Sequence, residues 1–346
     1  MQENVHKLNS HNLKFKQSIS LQEEKVMKQL FKVLALAACT MFAMPAAAQE
    51  KINLSIATGG TGGVYYPLGG GMANVFSKHI PGMQATAEVT GGSVDNMRLI
   101  GTGKPYIALS QADAVIDAYN GEGKFKGTKI PVRAMMMLYT NIMHAVTIEG
   151  TGINNINDLK GKRVSTGSPG SATEVFAFRV LEAAGINPQK DLRIERLGAA
   201  ESANAMKDRK IDAFFFVVGL PTSAVTDLAA TPGVKIKFLD HDHLLPEMIK
   251  KSGPLYIADV IPKTTYPGMT VDNKATAVAN LLVANANMSE QTVYNIVKTI
   301  FDKRPDLIAV HKIAADITME KQKPEASPVP WHPGAVKYFK EKGLKF

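Results

Sequence analysis

The chain has 346 residues, long enough for two domains of ordinary size. With 45% hydrophobic and 21% charged residues it lies outside the disordered class, and after the amino-terminal region no apolar run reaches the ~18 residues of a membrane-crossing helix. Forty Lys and Arg face 31 Asp and Glu, a formal charge of +9, but the cations are not gathered into an aromatic-interleaved patch, so no nucleic-acid partner is expected.

Residues 27–48 read as a secretory signal. Lys28 and Lys32 give the basic start, residues 33–44 the short apolar region, and Ala46-Ala47-Ala48 a small-residue cleavage site. Residues 1–26 then form an upstream extension. Cleavage near Ala48 leaves 34 basic against 28 acidic residues and no cysteine, because the only one, Cys39, lies inside the signal. A periplasmic protein is expected. The alternative, Leu36-Ala37-Ala38-Cys39 as a lipoprotein box carrying a lipid anchor, fits less well because the run from Met27 is short.

The mature chain opens on a strand, a glycine-rich turn and a helix. Ile52, Leu54 and Ile56 alternate with polar residues, and Gly59, Gly60, Gly62 and Gly63 allow a sharp turn close to a ligand. A helix begins near Tyr65, with its first N–H groups facing outward. One such loop alone reads as an ordinary connection. A strand at 84–89 follows, then Thr90-Gly91-Gly92-Ser93, where Ser93 can cap a helix carrying Met97 and Ile100 inward. Residues 106–109 form a short buried strand, and Gln111 and Asp113 stand where it empties into a cleft. Strands are expected over 132–139 and, after a break, 143–148.

The pattern then repeats. Residues 162–174 give a second strand and Gly/Ser turn, and Ser171 with Glu174 has the spacing of a capping box for a helix over 175–184. Thr58-Gly59 matches Thr166-Gly167 at a shift of 108, Asn96 matches Asn204 at the same shift, and residues 105–108 fall on 212–215 at 107. Two similar α/β lobes explain these matches. A buried strand runs into the Gly219-Leu220-Pro221 turn, a segment at 254–261 returns toward the first lobe, and Ser289 opens a helix with Val293, Ile296, Val297 and Ile300 on one face. Pro333 suits the first turn of a final helix.

In an open α/β sheet the ligand crevice lies beyond the carboxyl ends of the strands, so two lobes can aim one helix opening each at the same anion. Thr61, Gly62, Tyr65 and Tyr66 would face Ser168, Gly170, Ser171 and Thr173, with Asn96, Gln111, Asp113, Gly219 and Pro221 completing the set. Catalytic readings are weak. Gly101-Thr102-Gly103-Lys104-Pro105 has proline where a phosphate loop needs Ser or Thr, and Gly91-Gly92-Ser93-Val94-Asp95 lacks the last glycine of a nucleophile elbow. The spacing around His241-Asp242-His243 suggests no third metal ligand. Asp113 is the best candidate acid or base, with capping of the next helix preferred. No cofactor is expected.

The motifs TGGTGGVYYPLGGGMA, TGGSVDNMRLI, ALSQAD, DLKGKRVSTGSPGSATE, Gly219-Leu220-Pro221 and the terminal HPGA resemble, in order, the TAXI family of solute-binding subunits of TRAP transporters. The resemblance covers nearly all of residues 50–342. It implies a periplasmic binding protein type II fold, α/β with two lobes and a hinge: residues 49–140 plus 254–346 in lobe 1 and 141–253 in lobe 2. It further implies a monomeric, non-catalytic receptor delivering a small carboxylate such as glutamate, glutamine or 2-oxoglutarate to an ion-gradient-driven permease. An enzyme on the same fold is the alternative. Two departures bear on the ligand. Ala172 stands where many relatives have glycine, and Asn141 stands near a position that is often acidic.

Overall fold

The computed structural model describes residues 51–346, together with Met27 and Gln29. The signal, its cleavage site and Cys39 lie outside the described residues. No described helix is long and apolar enough to cross a membrane.

In chain order the elements are β1 (Ile52–Ala57), α1 (Tyr65–His79), β2 (Met83–Glu88), α2 (Ser93–Gly101), β3 (Tyr106–Gln111), α3 (Ala112–Asn120) and β4 (Val132–Ile148). The repeat follows as β5 (Arg163–Ser165), α4 (Ala172–Ala183), α5 (Pro188–Asp191), β6 (Arg193–Glu195), α6 (Ala199–Lys207), β7 (Ala213–Val218), α7 (Ser223–Ala229) and β8 (Ile236–Phe238). The chain closes with α8 (Leu245–Ser252), β9 (Tyr256–Ile261), β10 (Asn273–Asn285), α9 (Glu290–Asp302), α10 (Arg304–Val310) and α11 (Pro333–Glu341).

All ten strands join one sheet in the order β2-β1-β3-β10-β4-β7-β5-β6, with β8 on β4 and β9 on β10. In the first half β1 pairs in parallel with β2 and β3; in the second β5 pairs in parallel with β6 and β7. The repeat read from the sequence is therefore a repeat of topology. One of its three matches is not a structural equivalence. Asn96, the fourth residue of α2, is fully buried, but Asn204 is exposed. Its positional counterpart, the fourth residue of α6, is Ser202, buried with its hydroxyl 2.8 Å from Ser165 Oγ.

The two long strands join the halves. The 17-residue β4 spans both segments expected as separate strands, roughly 55 Å of extended chain. It stays unbroken at Thr140-Asn141 because both flanks are paired, to β10 over Val132–Ile142 and to β7 over Ile142–Thr147. β10 is likewise shared, meeting β9 with its first half and β3 with its second. Its register against β4 slips between Ala279 and Leu281, which sets Asn280 at an irregularity.

Helices supply the core at their expected spacing. Leu68, Met72, Val75 and Phe76 of α1 are buried, as are Val293, Ile296, Val297 and Ile300 of α9. Each side chain of this kind stabilises the fold by about 1.5–3 kcal/mol. Ser289 caps α9, accepting from Thr292 N at 3.1 Å, and His332 caps α11, accepting from Gly334 N at 3.2 Å. At α4 only half of the expected box forms. Ser171 Oγ accepts from Glu174 N at 3.2 Å, while the Glu174 carboxylate turns instead to Arg196 (2.5 Å) and Lys124 (3.1 Å).

Two buried histidines make the fold pH-sensitive. His144 on β4 lies between Ile142 O (2.9 Å, to Nδ1) and the Tyr266 hydroxyl (2.8 Å, to Nε2), and His241 places Nδ1 2.9 Å from Leu239 O. Nδ1 donates to a carbonyl in each, so both rings fit their sites as neutral imidazoles. Burial pulls both pKa values down to about 4 from 6.5. The unfolded chain takes up these protons first as pH falls. Stability is thus full above about pH 6.5 and lost from there toward pH 4, by about 1.4 kcal/mol per pH unit per ring. Urea midpoints at pH 7.5, 6 and 5 should decline in step, and a flat series would contradict this account of the two rings.

Candidate binding site

The carboxyl ends of the parallel strands from both halves meet at one cavity of about 60 Å³. From the first half come Gly59, Gly60, Gly63, Val64 and Tyr65 after β1, then Gly91, Gly92 and Ser93 after β2, and Gln111 at the end of β3. From the second come Gly167, Ser168, Ser171, Ala172 and Thr173 after β5, Leu197, Gly198 and Ala199 after β6, and residues 215–218 of β7. Asn141 of β4 completes the wall.

The opening residues of four helices, α1, α2, α4 and α6, line this space. The residues preceding α1, α2 and α6 (Val64, Gly92 and Gly198) give no side-chain cap, so those ends have no side-chain acceptor of their own. No Lys, Arg, His, Asp or Glu is among the lining residues. What the openings of these helices offer an anion is therefore backbone N–H groups rather than charged side chains.

The turn that touches the Gly/Ser turn after β5 is the Gly91-Gly92 turn after β2, whereas the Gly59–Gly63 turn after β1 meets the start of α7. Ser168 Oγ donates to Gly91 O at 2.9 Å, and Asp95 N donates to Gly170 O at 3.1 Å. Gly62 O accepts from Thr222 Oγ1 (2.7 Å), Ser223 Oγ (3.1 Å) and Ala224 N (3.2 Å). Glycine is needed at this contact. A Cβ on Gly91 would lie 2.3 Å from Pro169 O, and one on Gly170, where φ is +77°, 2.2 Å from the Asp95 carboxylate.

The residues named from the sequence divide as follows. Tyr65, Gln111, Ser168, Ser171 and Thr173 line the cavity; Thr61, Gly62, Tyr66, Asn96, Asp113, Gly170, Gly219 and Pro221 do not. Thr173 Oγ1 accepts from Val217 N at 3.4 Å, which leaves its own proton for a ligand. Asn96 has its amide engaged within the protein, donating to Thr58 O (2.7 Å) and Leu109 O (2.8 Å) and accepting from Thr90 Oγ1 (2.7 Å). Asp113 is fully buried and accepts from Ala114 N (2.8 Å), the Tyr256 hydroxyl (3.0 Å) and Arg179 Nη1 (3.4 Å). Burial pushes its carboxyl above the usual range against the pull of Arg179. Gly219 packs on Tyr139, and Pro221 follows a cis peptide bond. Tyr66 and Thr61 are exposed, while Gly62 and Gly170 act through the carbonyl contacts above.

A polar group that local sequence does not reveal forms behind Tyr65. The Tyr65 hydroxyl donates to Asn280 Oδ1, which also accepts from Asn141 Nδ2 at 3.0 Å. Burial raises the Tyr65 pKa, so the phenol stays protonated.

A mixed sheet of this order, with paired glycine turns at the carboxyl ends of two parallel triplets, is the type II periplasmic binding protein fold. The chain belongs to the NMT1-like family, which matches residues 56–343. Among solved structures it resembles malate-bound MatC from Rhodopseudomonas palustris, with 11% identity and a TM-score of 0.52 over 84% of this chain and 97% of that one. The periplasmic binding protein BugD gives 14% and 0.50 over 85% and 98%. A binding component of an ABC phosphonate transporter from Pseudomonas aeruginosa gives 14% and 0.50 over 78% and 81%. At these identities the likeness is one of fold.

Proposed function

We propose that the protein is an exported, non-catalytic receptor that captures a small carboxylate between two lobes and delivers it to a TRAP-type, ion-gradient-driven permease, as the resemblance to the TAXI family implies. The lobes are residues 49–140 with 254–346, and 141–253, with β4 and β10 as the hinge strands. The observation that carries this reading is the convergence of four helix openings on one cavity without a charged side chain in its wall. Each opening contributes up to roughly 2 kcal/mol to a partly buried anion, so four approach the about 8 kcal/mol of micromolar binding. The contacts between the turns after β2 and β5 are then those of a closed receptor. Asp113, the best candidate acid or base, lies outside the cavity wall and is held by Arg179 and Tyr256, which favours binding over catalysis. The malate in MatC and the phosphonate transporter of its other relative suit small anions.

A thermal-shift panel of small carboxylates, including glutamate, glutamine and 2-oxoglutarate, tests the reading. A true ligand at 100 times its dissociation constant should add about 2.7 kcal/mol. No response across the panel would count against a carboxylate receptor.

A further inference from the structure

The strand-side wall of the cavity has its hydrogen-bonding sense fixed by a chain of amides. Asn280 Nδ2 donates to Tyr139 O at 3.3 Å, so its Oδ1 points the other way and accepts from Tyr65 and Asn141. That orientation commits Asn141 Nδ2 to Asn280. Asn141 Oδ1 is left over: it is buried, in a side chain only 1% exposed, and has no hydrogen-bond partner among the described residues. Gln111, which sits opposite Asn280 in the β3–β10 register, is 3% exposed and has an unpartnered Oε1. Both residues line the cavity. A buried acceptor without a donor is costly, so this wall calls for a donor from the ligand.

We propose that the ligand is a small 2-hydroxy monocarboxylate, its carboxylate at the helix openings and its hydroxyl donating to Asn141 Oδ1. The proposal rests on the carboxylate reading and narrows it. An ammonium in the hydroxyl's place would meet no acidic side chain in the wall and would face four helix openings that repel a cation. A second carboxylate in that place would face the unpartnered acceptors Asn141 Oδ1 and Gln111 Oε1, to which it has no proton to give.

Calorimetric titration of the purified protein with D- and L-lactate, propionate, L-alanine, malonate and L-glutamate tests it. Propionate lacks the hydroxyl, L-alanine replaces it with an ammonium, and malonate adds a second charge. One lactate enantiomer should bind at least tenfold tighter than propionate and tighter than each of the others. In Asn141→Leu the advantage of lactate over propionate should disappear, whatever the variant does to carboxylate affinity as a whole; the wild-type ranking stands without the variant. If propionate, L-alanine, malonate or L-glutamate matches or exceeds lactate, the hydroxy-acid assignment is overturned and the carboxylate reading stands. If no carboxylate binds, both fall.

Discussion

Gly91→Ala is expected to weaken ligand binding ten- to a hundredfold while leaving the unliganded fold intact. The backbone at Gly91 is not in the left-handed region, so its conformation suits alanine. The main obstruction is across the cavity, where the new methyl group would stand 2.3 Å from Pro169 O; on its own side it would also press on the Asp95 side chain, 2.5 Å away, which can turn aside. A carbon and an oxygen cannot sit that close, so the two turns must separate. The bonds from Ser168 to Gly91 and from Asp95 to Gly170 are then lost or stretched, at about 0.5–1.5 kcal/mol each, and the helix openings of the two halves no longer converge. About 1.4 kcal/mol is a factor of ten in affinity. Gly70→Ala is the control. It lies on the exposed face of α1 with nothing within 4 Å of its Cβ, and should leave affinity unchanged. Equal dissociation constants for Gly91→Ala and wild type would mean that contact between the turns plays no part in binding.

The largest stability loss is expected at Arg179. Its guanidinium on α4 binds Asp117 at 2.9 Å and Asp113 at 3.4 Å, both on α3, and also donates to the Tyr256 hydroxyl at 2.5 Å. Asp113 is fully buried, so Arg179→Met strands a carboxylate without its counter-charge. Breaking such a pair from one side costs about 3–5 kcal/mol, whereas neutralising both partners costs much less. Urea unfolding should therefore show a severe loss for Arg179→Met and a partial recovery in the double variant with Asp113→Asn. A loss below about 1 kcal/mol in the single variant would mean that the network is solvated and structurally idle.

Local chemistry was the legible part. Tyr65, Ser171 and Thr173 sit within strand, glycine turn and helix units, whose backbone direction is set within a few residues. What sequence could not distinguish was the use to which a polar side chain at a strand end is put. Asn96 and Asp113 resemble ligand contacts by position, but one ties the β1 and β3 ends to the segment before α2 and the other anchors α3 to α4. Asn141 and Asn280 meet only through the pairing of two strands far apart in sequence, at a register slip that no local pattern marks. Gly198-Ala199 carries no polar cap. The repeat misses it by two residues, because a shift of 108 sets Gly92-Ser93 on Ala200-Glu201, whereas the helices α2 and α6 begin 106 residues apart.

The central claim is that backbone dipoles, not cationic side chains, hold an anion in this cavity. Calorimetric titration of the wild-type protein with small carboxylates tests it most directly. The account predicts saturable one-to-one binding that Gly91→Ala weakens at least tenfold. Titrations that show no carboxylate binding, or binding indifferent to Gly91→Ala, would contradict it.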